Sequence, residues 1–185
     1  FKRISDPLSN FGATFRLSKN YGLPLIVKGS NKLQPIKYYE KKGSAQCKSS
    51  VILGGIKANG KTIIKAKKSR NHTELLLKHL NLPIKIKNKK NFDLIEINKV
   101  KKINPTNYKI PSDISSSAFF IALTVLTEDS KLLIKDVNIN PSRSGLLTVL
   151  KMMGVKISFS KKKIYKGEMV ADIFVKSPKK LKSIY

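Results

Sequence analysis

The sequence predicts an α+β fold of α/β-like order, built from a repeated unit of about 70 residues. Three observations point to it. Similar segments open at Leu8, Leu77 and Leu150. Each runs as an apolar helix end into Gly12, Asn81 or Gly154, residue types that tolerate a left-handed C′ position. An alternating strand follows each stop, and two further helices are apolar nearly all round, the pattern of a buried helix.

Taken in order, the first residues read as the tail of a helix that stops at Gly12, with a strand over Thr14 to Ser18. A strand from Gln34 to Tyr39 leads into a helix from about Ser44 through Cys47, Val51, Ile52, Leu53 and Ile56. Lys61 to Lys65 then aligns with Lys131 to Lys135 as an edge-like strand with basic flanks. A more amphipathic helix, about Asn71 to Leu80, precedes paired strands over Ile84 to Lys87 and Asp93 to Ile97. Tyr108 to Ile110 is expected as a strand entering the second buried helix, about Ser115 to Leu126. A helix over Arg143 to Met153 and a strand over Lys156 to Ser160 close the pattern, and the last residues carry no obvious element. Ser44 and Ser112-Asp113 supply N-cap oxygens to the buried helices. The expected partition is 1–43 as the end of a first repeat, 44–110 as a second and 111–185 as a third.

The 185 residues suit one large domain or two small ones. With 41% hydrophobic residues, ten Gly and eight Pro, the composition argues against disorder and collagen-like repeats. The longest apolar stretch, Ala118 to Leu126, is far short of the ~20 residues that span a bilayer, and no signal-like segment opens the chain. Cys47 is the lone cysteine, so no internal disulfide or thiolate metal cluster can form. The reading is a soluble, intracellular, cytoplasmic protein. Because the chain opens on Phe1 rather than Met and ends without an obvious element, it reads as a piece of a longer protein.

The 38 Lys plus Arg against 11 Asp plus Glu give a formal charge of +27. Clustered cations would suggest nucleic acid. Here they are dispersed, and only Arg3, Arg16, Arg70 and Arg143 are arginines, the residue that base and phosphate forks favour. A Lys-, Ile- and Asn-rich composition also arises in AT-rich genomes. Such a field would equally steer a small anionic substrate. A Lys-rich nucleic-acid-binding module stays an alternative, tested by a steep salt dependence of binding.

Three junctions could carry chemistry. Ser44-Ala45-Gln46-Cys47-Lys48-Ser49 opens a buried helix directly after a strand, where unpaired N–H groups and partial positive charge suit a phosphate or carboxylate. Ser44 adds a hydroxyl and Gln46 an amide; simple N-capping by Ser44 is the competing reading. Ser69-Arg70-Asn71-His72-Thr73-Glu74 stands at a second such junction. Arg70 can fork onto anionic oxygens, or the segment can be a Ser69 or Asn71 cap with Glu74 completing a capping box. Asn140 to Gly145 repeats the pattern, with Arg143 as ligand or turn residue. Cys47 reads as a core residue rather than a nucleophile. No nucleotide-binding glycine loop, metal spacing or acid–base pair stands out.

These residues resemble a known family. Ser44 to Ile56 resembles the SAQ-x-KSA-x-LLAGL stretch of bacterial EPSP synthases (3-phosphoshikimate 1-carboxyvinyltransferases). Ser69 to Glu74 resembles their SRDHTE, Ile110 to Phe120 their PGDISSAAFF, and Asn140 to Gly145 their NPTRTG. Arg3 to Leu8 resembles the stretch before the first repeat. Ser112 departs from the Gly of PGD, and Lys65 stands where many relatives carry Glu. The resemblance implies an enolpyruvyl transferase fold: two domains of three βαβαββ units each, with buried parallel helices covered by mixed sheets. It implies transfer of the enolpyruvyl group of phosphoenolpyruvate to shikimate 3-phosphate, in the shikimate pathway of aromatic amino acid biosynthesis, with no metal or organic cofactor. Carried over residue by residue, Ser44, Ala45, Gln46, Ser69 and Arg70 would bind shikimate 3-phosphate, with Gln46 also near phosphoenolpyruvate. The family's amino-terminal Lys-Ser loop, its glycine-rich loop and the second domain's proton-transfer groups are not in these residues. No catalytic group is therefore expected here, and the isolated piece is expected to be inactive. The full-length enzyme is expected to be monomeric, with neither membrane nor nucleic-acid partners. Another enolpyruvyl transferase, or an RNA 3′-phosphate cyclase-like enzyme, is the alternative within the same fold.

Overall fold

Helix stops fall where left-handed backbone is available. Gly12, Asn81 and Gly154 have φ of 107°, 54° and 91°, the conformation that Gly adopts without cost and Asn tolerates. In the computed structural model, which describes residues 1–18 and 22–184, the chain divides into Phe1–Asn104 and Pro105–Tyr185.

The first unit begins with α1 (Lys2–Asn10) and an antiparallel pair, β1 (Thr14–Leu17) and β2 (Leu25–Lys28). It continues with β3 (Lys37–Glu40), α2 (Ala45–Gly55), β4 (Thr62–Lys67), α3 (His72–His79), β5 (Ile84–Asn88) and β6 (Phe92–Ile97). This is a βαβαββ order. The four strands from β3 to β6 form one mixed sheet, ordered β3-β4-β6-β5, in which only the β3–β4 pair is parallel. Sequence reading placed β4 at an edge, but β3 adds to its free side and makes it interior. The core is α2 against the sheet: Val51, Ile52, Ile64, Ala66, Ile95 and Ile97 are all fully buried.

Two adjacent glycines let α2 approach that closely. A Cβ at Gly55 would lie 2.6 Å from Ile97 Cγ2, and one at Gly54 would lie 2.9 Å from the buried Phe11 ring that ends α1. Gly55→Ala is therefore expected to lower stability by about 1–3 kcal/mol, the usual cost of overpacking, read as a lower urea midpoint.

The second unit carries α4 (Ile114–Leu126), β7 (Lys131–Asn138), α5 (Gly145–Met152), β8 (Lys156–Tyr165) and β9 (Glu168–Lys176). Its antiparallel sheet, ordered β7-β9-β8, has the connectivity of β4-β6-β5. The expected strand at Tyr108 to Ile110 does not form. One parallel bridge, Ser112 to Val137, stands in its place. Pro111 has no N–H to offer a ladder, and the Lys109 N–H donates instead to the Tyr165 hydroxyl.

Burial of α4 on all sides is also corrected. Ile114, Ser117, Ile121, Thr124 and Val125 face inward. Phe119, Phe120, Leu123 and Leu126 stay 63–79% exposed. Within this unit a single three-stranded sheet and α5 are available, and one layer can cover only one side of a helix. The sequence pattern recorded how apolar the helix is but not how many surfaces meet it.

Candidate anion-binding site

The parallel pairing of β3 with β4 sets Glu40 opposite Ala66, so both strands end at the same border of the sheet. Each is followed by a short loop and a helix start: 41–44 before α2 and 68–71 before α3. The loops touch. Gly43, at φ 72°, lies so near the second loop that a Cβ there would be 3.2 Å from the Lys68 carbonyl oxygen. The first loop is held from below by the buried Glu40, whose carboxylate accepts from the N–H groups of Lys42 at 2.9 Å and Gly43 at 2.7 Å.

Ser44 does cap α2, as the simpler reading expected: its Oγ accepts from Cys47 N–H at 3.3 Å. Accepting leaves the hydroxyl proton available for donation. The N–H groups of Ala45 and Gln46 open the helix, where no intrahelical acceptor exists. The Gln46 side chain is exposed and Ser44 is half-buried. On the second loop Arg70 is exposed, and Ser69 Oγ is buried with no hydrogen-bond partner among the described residues. Of the five residues expected to bind the anion, Ser44, Ser69 and Arg70 thus lie on two touching loops, and Ala45 and Gln46 follow directly in the first turn of α2. Exposed Lys41, Lys42 and Lys67 add positive charge along this border.

The capping box that the competing reading placed at α3 is not formed. Glu74 points to α2, with Oε1 2.6 Å from Lys48 Nζ and both side chains buried. One residue on, Ser49 Oγ and Thr73 Oγ1 share a 2.6 Å hydrogen bond. Sequence reading missed this pairing. Its signal was a Lys three and four residues before Val51 and Ile52, which places it on the buried face of α2.

In the second unit, Arg143 Nη2 lies 3.2 Å from Asp113 Oδ1 and also bonds Ser115 Oγ, tying the turn before α5 to the start of α4. Asp113 accepts from the N–H groups of Ser115 and Ser116, each at 3.2 Å. Burial works to raise its carboxyl pKa, but these bonds and Arg143 outweigh it, and the net shift is below the ordinary 3.8. Asp136 is lowered by its hydrogen bond and attraction to Lys109, with Lys163 adding to it. A carboxyl depressed by folding contributes stability above its unfolded pKa and loses it as pH falls through the folded value. Acid should therefore weaken this unit from about pH 4 downward. The double variant D113N/D136N should show a smaller difference between urea midpoints at pH 6 and pH 3 than the parent.

Among the described residues, no group of three or more His, Cys, Asp or Glu could hold a metal ion, and no helix is long and apolar enough to cross a membrane. A concavity of about 710 Å³ in the second unit, lined in part by Glu128, Asp129, Lys156 and Lys176, contains no residue of the two loops.

Comparison with known proteins bears on this geometry. The family model described as EPSP synthase (3-phosphoshikimate 1-carboxyvinyltransferase) matches residues 1–184. A 3-phosphoshikimate 1-carboxyvinyltransferase of Caldicellulosiruptor bescii is 45% identical over 178 residues, which cover 95% of this chain and 41% of that protein. One from Petrotoga mobilis is 39% identical, with 95% and 40% covered. An EPSP synthase structure from Acinetobacter baumannii superposes with a TM-score of 0.82 at 34% identity, covering 100% of this chain and 41% of that one. The enolpyruvyl transferase NikO from Streptomyces tendae, at 16% identity and TM-score 0.67, shares the fold. The chain spans about 41% of the length of the first of these curated relatives.

Proposed function

Because the chain belongs to the EPSP synthase family, we propose that it supplies the shikimate 3-phosphate half of an active site that transfers the enolpyruvyl group of phosphoenolpyruvate. The observation carrying this reading is the contact between the loops before α2 and α3, where Gly43 lies against the Lys68 carbonyl oxygen, next in the chain to Ser44-Ala45-Gln46 and Ser69-Arg70. In this reading Ser44, Ala45, Gln46, Ser69 and Arg70 hold the phosphate monoester, and Gln46 also faces phosphoenolpyruvate. Hydroxyl, amide, backbone N–H and guanidinium donors neutralise and orient the anion without changing protonation state. Their contribution is positioning and electrostatic preorganisation. In this reading bond making and proton transfer fall to residues outside this chain, so these residues alone are expected to be catalytically inactive.

The same reading takes 1–43, 44–110 and 111–185 as parts of three successive repeats. It is supported by a helix followed by an antiparallel strand pair in each: α1-β1-β2, α3-β5-β6 and α5-β8-β9. It also takes the enzyme to be a cytoplasmic monomer. Calorimetry on the full-length protein carrying this sequence should detect shikimate 3-phosphate and not a UDP-sugar, an RNA 3′-phosphate end or duplex DNA. Preference for any of the last three would overturn the reading.

A further inference from the structure

We propose that Lys48 and Glu74 are positioning residues: their ion pair sets the spacing of the two donor loops, so that Gln46 and Arg70 close on one phosphate group. The inference rests on the substrate reading above. Lys48 follows Gln46 by two residues and Glu74 follows Arg70 by four, so the 2.6 Å contact joins the first turns of α2 and α3. The Ser49–Thr73 hydrogen bond runs beside it.

Energetics argue that this pair is not there for stability. Lys48 is 0% exposed, and neither its Nζ nor Glu74 Oε2 has an aligned hydrogen-bond partner among the described residues. Buried pairs left this incompletely satisfied are commonly matched or bettered in stability by apolar residues of similar volume. An apolar pair, however, has no preferred separation or direction; a charge pair has both. The second unit uses the same device with opposite polarity, Asp113 at the start of α4 and Arg143 before α5. What recurs is a charged tie between paired helix starts, made from different residues.

The test uses the full-length protein, the apolar double variant K48M/E74L and the charge-exchanged K48E/E74K. Shikimate 3-phosphate is titrated calorimetrically, and KM and kcat are measured alongside. K48M/E74L should melt at or above the parent temperature yet bind about tenfold more weakly, with KM for shikimate 3-phosphate rising while kcat moves less than about threefold. K48E/E74K should recover most of that affinity. A K48M/E74L protein that binds like the parent overturns the proposal; so does one that fails to fold, because the pair would then serve stability. Amide resonances of Gln46 and Arg70 separate the two readings. They should shift together in K48M/E74L without substrate, and unmoved resonances refute the tie. Parent protein that ignores shikimate 3-phosphate refutes the substrate reading instead.

Discussion

Replacing Glu74 alone with Leu is expected to destabilise the first unit by about 3–5 kcal/mol, because it leaves the Lys48 ammonium buried without a counter-charge. The partner distance is 2.6 Å and the two side chains are 0% and 4% exposed, so water cannot take over the lost role without opening the interface of α2 and α3. Such a loss is a large share of the roughly 5–15 kcal/mol that stabilises a typical domain. Lys48→Met should cost a similar amount by stranding the carboxylate. The two single costs should fail to add: the Met–Leu double variant removes both charges and should sit near the parent. Urea unfolding of all four proteins measures this cycle, and simple additivity would contradict it.

Arg70→Ala should leave stability almost unchanged, within about 0.5 kcal/mol, since the residue is exposed. It should weaken shikimate 3-phosphate binding on the order of 100-fold, about 3 kcal/mol, if its planar fork donates two charge-assisted bonds to phosphate. Arg70→Lys should recover only part of that loss, because an ammonium restores charge but not the fork. Calorimetry on correctly folded variants reads both. Parent-like affinity in Arg70→Ala would remove the second loop from the site. Ser69 is a milder control: its buried hydroxyl is a neutral donor, and Ser69→Ala should cost closer to tenfold.

Helix starts and stops were legible because capping chemistry is local: Ser44, Asp113, Gly12, Asn81 and Gly154 take the capping or left-handed roles their side chains suggest. Strands with clean alternation, such as β4 and β6, were legible for the same reason. Strands were illegible where their pattern is broken. In β8 the first half, Lys156 to Ser160, was read, but a bulge at Ser160 to Lys163, amid a run of lysines, hid the rest. β9 is buried on both faces over much of its length, so no alternation shows. The candidate anion-binding residues were reached through helix-start chemistry and their resemblance to family motifs, whereas Lys48 and Glu74 were hidden by a separation of 26 positions that no local pattern spans.

By itself the sequence determined the helices, most of the strands, the family and the residues with the chemistry to hold an anion. These follow from side-chain type and short-range spacing. The tertiary structure decided which loops meet, that Glu74 turns from its own helix cap to Lys48, and which side of α4 is covered. Those outcomes depend on strand pairing and on the number of surfaces available to each helix, and both are set by contacts between residues far apart in the chain.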